Sequence, residues 1–523
     1  MSTQSIAIKL GFIFFFAQSF VTFGKSDRIA TLETWNINFN QTKYKQNSNY
    51  TTTISPNITY GIWEGWGTSL CWWGSVFGDR NDLADLFFTL KDNVVLMTAN
   101  GNITVPGLGL NIARYNAGGS GWRSLDDGTT MISSPNIPEF KQIEGFWLDN
   151  ENSDPSSSSF DWSVDQNQLL MLTKAQDRGC NLLELFSNSP MWWQSINENP
   201  SGNDDGSKDN LQSSYYNDHA HYLAVVAKYA YDNWNIKFDS VESLNEPISD
   251  WWVSTGYQEG CHFNIDTQAN AILLLRQALN DVGLGSNVIV SASDENSYDE
   301  ALSTWQSFND TTQQSVGRVN VHGYQQGGGR RDLLYTAVNG KKLWNSEYGD
   351  GDVSGISIVS NLNLDFKWLH NTAWVYWQMV DEADGWGMLQ GNMEEATISQ
   401  INDKHYMMAQ YSRHIKPGMI IMETSGDDTI AAYDSINHIL ILVSTCYNAN
   451  GRHGQGGRWM IHDLSSFTSV LGPITRWNTS PYQSNGDRYV QYNDTFLNDK
   501  DQNVVVWVES YSTQTIEIQN VVI

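Results

Sequence analysis

The chain has 523 residues, 40% hydrophobic and 17% charged, which excludes a disordered protein and leaves room for more than one domain. Its 58 acidic against 30 basic side chains give a formal charge of -28, which excludes nucleic acid and anionic membranes as partners. A neutral polymer is not repelled.

The chain opens with MSTQSIAIKLGFIFFFAQSFVTFG. Lys9 supplies a positive start, Leu10 to Phe16 an apolar run, and Ala17, Ser19 and Gly24 candidate cleavage positions. This predicts a signal peptide over residues 1–24 and a secreted, extracellular protein. No second long apolar run follows, so no membrane span is expected. Seven Asn-x-Ser/Thr sequons, at Asn40, Asn49, Asn57, Asn102, Asn309, Asn478 and Asn493, fit a glycosylated secreted chain. Cys71, Cys180, Cys261 and Cys446 form no C-x-x-C pair; Cys71 with Cys261 is the bridge expected, since both should follow strands ending on one face.

Residues 25–60 read as a strand segment that joins a later β-domain. From 61 to 415, short apolar runs alternate with amphipathic stretches. GIWEGWGTS, LNIARYNAGG, CNLLELFSNSP, FDSVESLNEP, NVIVSASDE, RVNVHGYQ, KKLWNSEYG and TAWVYWQ are strand candidates. Between them, DQNQLLMLTKAQDRG, DHAHYLAVVAKYAYDNW and TQANAILLLRQALNDVG have helical spacing. Eight such units favour a closed (β/α)8 barrel over an open parallel sheet. A turn-rich insertion from Asp126 to Trp162 follows the second strand and is placed to shape a cleft. Residues 416–523, with HILILVSTC, RWMIHDL, NVVVWVES and QTIEIQNVVI, read as a β-sandwich.

The strand ends carry the chemistry: Glu64-Gly65-Trp66, Arg114-Tyr115-Asn116, Ser187-Asn188-Ser189, Asn245-Glu246, Asp294-Glu295, His322-Gly323-Tyr324, Ser346-Glu347-Tyr348 and Trp377-Gln378. In a barrel all of these point to one rim, where barrel active sites lie. No G-x-S-x-G, H-E-x-x-H, Walker or dinucleotide motif is present, and the histidines form no ligand cluster in sequence, so neither cofactor nor metal is expected. Two glutamates remain, Glu246 after the fourth strand and Glu347 after the seventh, facing each other across the mouth. Carboxyls about 5 Å apart suit glycosidic-bond cleavage with retention. Strict alternation would put Asn245 and Glu246 on opposite faces unless the strand bulges. Glu242, in phase with Glu246, is read as buried deeper and ion-paired.

The pair resembles clan A glycoside hydrolases. With EGWGTSLCWWGSVFGDRNDLADL, SPNIPEFKQIEGFWLD, NSDPSSSSFDWS, FSNSPMWW, NEPISDWW, QEGCHF, SASDENSYD, GRRDLLY, LWNSEYGDGD and IKPG, the chain is similar to the endo-β-1,6-galactanase branch of glycoside hydrolase family 30. It departs from that pattern at Ser243-Leu244, where the family carries a proline and an aromatic. The resemblance implies Glu246 as acid/base and Glu347 as nucleophile. It also implies a substrate set of Arg114, Asn245, Tyr324 and Trp377, with His322, Trp66, Trp192 and Trp251 as further cleft residues. The implied activity is hydrolysis of β-1,6-galactan side chains; a monomer is expected. Another family 30 activity (β-1,6-glucanase, xylanase or glucosylceramidase) and a non-catalytic sugar-binding protein remain as alternatives.

Overall fold

The computed structural model describes residues 50–382, 384–446, 457–482, 486–495, 497–498 and 502–523. The sequence readings at 1–49, including Asn40 and Asn49, lie outside them. Eight parallel strands close a barrel: β1 (Gly65–Ser69), β2 (Ile112–Asn116), β3 (Leu182–Phe186), β4 (Ser240–Glu242), β5 (Ile289–Glu295), β6 (Val316–His322), β7 (Lys342–Tyr348) and β8 (Ala373–Tyr376). Each pairs with its neighbours in chain order, and β8 returns to β1 with Trp374 opposite Trp66. The sequence placed a strand at each of these positions.

The crossover helices bury apolar stripes at helical spacing. In Ile265–Asp281 the stripe is Ala271, Ile272, Leu275 and Leu279. Tyr298–Ser307 is capped by the Ser297 hydroxyl, which accepts from the Glu300 N–H. The turn after Gln166–Gln176 ends at Gly179 with φ +99, a conformation that favours glycine.

The second part of the chain is mostly strand. Among the described residues ten strands hydrogen-bond in series, and the N-terminal strand Tyr50–Ile62 lies among them, antiparallel to Ile420–Thr424 and parallel to Arg458–Asp463. Met460, Val504 and Val506 from one side of that strand share an apolar cluster with Leu440, Leu442 and Ile516 from the other, so the sheet folds over on itself. The barrel helix Lys404–Ser412 packs on it: the Gln410 amide donates to the Thr479 hydroxyl at 2.9 Å, and the Thr515 hydroxyl donates to Gln410 Oε1 at 2.6 Å.

The four cysteines are free thiols and all buried, which corrects the expected Cys71–Cys261 bridge. The Cys71 sulfur accepts from the Asn188 amide at the barrel mouth, whereas the Cys261 thiol points to the His262 carbonyl.

Candidate active site

Arg114 rises from the middle of β2 into the barrel and is fully buried. Its Nε donates to Glu184 Oε1 of β3 at 2.9 Å, its Nη1 to Glu347 Oε2 of β7 at 3.0 Å, and its Nη2 to Asp294 of β5. The guanidinium thus ties three strands together beneath the mouth. Glu184 also takes Arg318, Ser240, Ser291 and Asn320, so every lone pair on that carboxylate is used. Burial disfavours charge here, but Arg318 and Arg114 hold the Glu184 carboxyl below its ordinary value.

Above this layer sits His322, the last residue of β6, fully buried between carboxylates. Its Nδ1 lies 3.0 Å from Glu246 Oε1 and 3.5 Å from Glu347 Oε1, and its Nε2 lies 3.2 Å from Asp294 Oδ1. Burial alone would lower its pKa, yet Glu347 and Asp294 raise it well above the usual histidine value, which favours the protonated ring. Burial likewise opposes ionised Asp294, and Arg114 and His322 reverse that and hold it well below the usual carboxylate range.

Glu246 and Glu347 face each other over this ring, with carboxylate oxygens within 4.8 Å of one another. Glu347 Oε1 accepts from the Tyr324 hydroxyl at 2.8 Å, opposite its Arg114 contact. Burial pushes the Glu347 carboxyl up to about 7, with Glu246 and Asp294 adding to it while His322 and Arg114 pull it down. Glu246 Oε1 accepts from the Asn296 amide at 2.7 Å. Asn245 is buried beside it, its Oδ1 without a partner among the described residues. Trp377, just past β8, closes one side and meets Trp72 edge-on at 5.1 Å. Glu246, His322 and Glu347 bring three possible ligand atoms within 4.8 Å of one another.

Two carboxyls at that separation, one on the turn after β4 and one on β7 of a parallel barrel, form a glycosidase constellation. The family model for O-Glycosyl hydrolase family 30 matches residues 49–316. An Endo-beta-1,6-galactanase from Hypocrea rufa is 49% identical over 475 residues, covering 90% of this chain and 95% of that protein. The chain belongs to glycoside hydrolase family 30. Solved structures agree on the fold. The catalytic domain of GH30 xylanase C from Talaromyces cellulolyticus superposes with a TM-score of 0.65 at 18% identity, covering 90% of this chain and 100% of that one. A conserved exported protein from Bacteroides fragilis gives 0.67 at 15% identity, with coverage of 89% and 100%.

The family 30 hydrolase gathers Arg114, Asn245, Glu246, His322, Tyr324, Glu347 and Trp377 at one mouth, but not every tryptophan read from the sequence. Trp66 is fully buried near the start of β1, away from the mouth; its Nε1 donates to the Ile415 carbonyl at 2.6 Å and its ring packs on Trp63 and Phe366. It is a core residue, because its strand enters the barrel there instead of ending. Trp192 is also fully buried, its indole against Gly121 under the insertion, so it supports loops and meets no solvent. Trp251 stands exposed on the loop after β4, while its neighbour Trp252 is buried and donates from Nε1 to the Glu246 carbonyl at 2.9 Å. Glu242 is buried as expected but not ion-paired: both its oxygens lack partners, since Arg114 and Arg318 are taken by Glu184, Asp294 and Glu347. Burial, with Asp294 and Glu184, raises its pKa well above the ordinary value and keeps it neutral.

Sequence reasoning missed Asn296 and Glu259. Asn296 follows the strand end Asp294-Glu295, which was read, by one residue. Glu259 accepts from Ser120 N, Ser120 Oγ and Ile143 N, pinning the insertion after β2 to the loop after β4.

Proposed function

We propose that this glycoside hydrolase is a secreted, retaining endo-β-1,6-galactanase that cleaves β-1,6-galactan chains of the arabinogalactan type by double displacement, acting as a monomer. The galactan specificity is carried by the 49% identity to the Hypocrea rufa protein named for that activity. In this reading residues 1–24 are the signal peptide, 25–60 join the β-domain, 61–415 form the catalytic barrel and 416–523 the β-domain, and the secreted chain is N-glycosylated.

Glu347 is the nucleophile and Glu246 the acid/base. The supporting observation is the charge balance of the buried cluster. Arg114, Arg318 and His322 bring three cations against Glu184 and Asp294, and the set is neutral when Glu246 and Glu347 share one proton between them. Arg114 and the Tyr324 hydroxyl both donate to Glu347 and hold its carboxylate in place for attack, while Glu246 faces it across the mouth, where the leaving oxygen would lie. In the first step Glu347 attacks the sugar carbon as Glu246 protonates the departing galactan. In the second, Glu246 takes a proton from water, which displaces Glu347 and restores the original configuration. Asn245 Oδ1 accepts from the sugar 2-hydroxyl, and Trp377 offers the ring a flat apolar floor.

Incubating the protein side by side with β-1,6-galactan, β-1,6-glucan and xylan, and sizing the products, tests this reading. Oligosaccharides from galactan alone are expected. Monosaccharide alone would overturn endo action, and faster glucan or xylan cleavage would overturn the substrate. The Glu347→Gln variant is expected to lose roughly 10³-fold or more in kcat; full activity in it would overturn the mechanism.

A further inference from the structure

We infer that the chain is N-glycosylated at Asn57, Asn102, Asn309 and Asn493 and carries no glycan at Asn478, an assignment that rests on the secreted reading above. The distinction lies in the exposure of each amide and, at Asn309 and Asn478, in which of its atoms the fold consumes. In N-glycosylation a bond forms between Nδ2 and the sugar anomeric carbon as that carbon's bond to a lipid diphosphate breaks. The amide loses one proton, and Oδ1 is untouched.

At Asn309 the fold uses the oxygen. Asn309 Oδ1 caps the helix Asp310–Ser315 by accepting from the Thr312 N–H at 3.0 Å, and no hydrogen bond among the described residues draws on Nδ2. A cap and a glycan are therefore compatible on one side chain. The residue is exposed, and next to it Asp310 and Gln313 line an open cleft of about 150 Å³ together with Trp305 and Lys341, which leaves space beside the side chain. The helix feeds into the start of β6, so this glycan sits at the end of the barrel opposite the mouth. Asn102 is exposed on the hairpin Val94–Val105, Asn57 on the bulged stretch of the N-terminal strand, and Asn493 just past the strand Val490–Tyr492.

At Asn478 the fold uses the nitrogen. Nδ2 donates to Asp487 Oδ2 at 2.8 Å and lies 3.5 Å from Ser480 Oγ, and the residue is 6% exposed. Its strand is paired on both sides, opposite Val490 and Gln514. The next sequon residue, Thr479, accepts from the Gln410 amide and donates to the Tyr406 carbonyl at the contact between barrel and β-domain, and Ser480 accepts from the Asp487 N–H, so all three residues of the triplet are engaged by the fold. A glycan added there as the chain is made has no room in the folded protein.

The chain is secreted from yeast, deglycosylated by an amidase in heavy-oxygen water, and mapped by peptide mass spectrometry. Label is expected at Asn57, Asn102, Asn309 and Asn493, with ordinary Asn at 478. Label at Asn478 in active protein, or its absence at the four exposed sites of secreted protein, would overturn the inference. A parallel version with residues 1–24 replaced by a proven leader separates the two claims: if only that version reaches the medium, the signal reading fails and the glycan map is judged on it. In that version Thr311→Ala, which leaves the Asn309 cap intact, is expected to reduce the mass by one glycan without changing hydrolysis. An unchanged mass overturns the assignment at Asn309.

Discussion

Glu246 has φ +47 and Asp294 φ +59, a region that non-glycine residues enter rarely and at some cost. The two left-handed residues are joined, since the Glu246 N–H donates to the Asp294 carbonyl at 2.8 Å. This turn resolves the alternation that would have sent Asn245 and Glu246 to opposite faces: β4 ends at Glu242, and neither residue belongs to the strand. The identities of the two glutamates were legible because each ends an apolar run. Asn296 was not, because its contact with Glu246 crosses between loops and leaves no local pattern. Replacing Asn296 with alanine strips Glu246 of one donor and is expected to cost about 1.4 kcal/mol, or roughly tenfold in kcat/KM, with a shifted basic limb in the pH–rate profile. An unchanged profile would make Asn296 merely structural. Glu242 poses the opposite case. Because it is neutral and unpartnered, Glu242→Gln is expected to keep activity and to raise stability at alkaline pH. A large loss of kcat would make it the rival carboxylate after all.

Among the elements, the strands were readable wherever apolar runs were bounded by turns, and the helices wherever a stripe repeated. The tryptophans were not, because composition cannot say which side of a strand or loop an indole takes. Trp66 illustrates this: its bond to the Ile415 carbonyl fastens β1 to the segment that leaves the barrel for the β-domain. Trp66→Phe strands that buried carbonyl, so the expected outcome is a stability loss of about 2 kcal/mol with KM unchanged. A raised KM with intact stability would return Trp66 to the cleft.

For the molecule as a whole, burial sets the pH response. It raises Asp165 and Glu259 to about 7 and Glu295 to about 8, so the folded chain holds protons there that the unfolded chain releases. It lowers His219, His370, His405 and His462 to about 4, and these work in the opposite direction until unfolded histidine itself is neutral. Above about pH 6.5 these histidines no longer contribute, and the raised carboxyls and His322 make stability fall as pH rises, because the folded state binds more protons there. Denaturation midpoints are therefore expected to change little between about pH 5 and 6.5 and to drop toward pH 8.5; a flat curve above neutrality would mean that these acids are ionised in the fold.

The N-terminal strand Tyr50–Ile62 also governs how the protein is made. Tyr50 pairs with Met460, and Ile54 with Thr424, partners that leave the ribosome some four hundred residues later. At about 5–20 residues per second this strand waits for tens of seconds with both edges open while the barrel is translated. A chain cut after the barrel would leave those edges bare, so truncation before Met419 is expected to yield aggregates and not a minimal enzyme. Recombinant production should therefore keep the strands Ile420–Thr424 and Arg458–Asp463, which cover those edges.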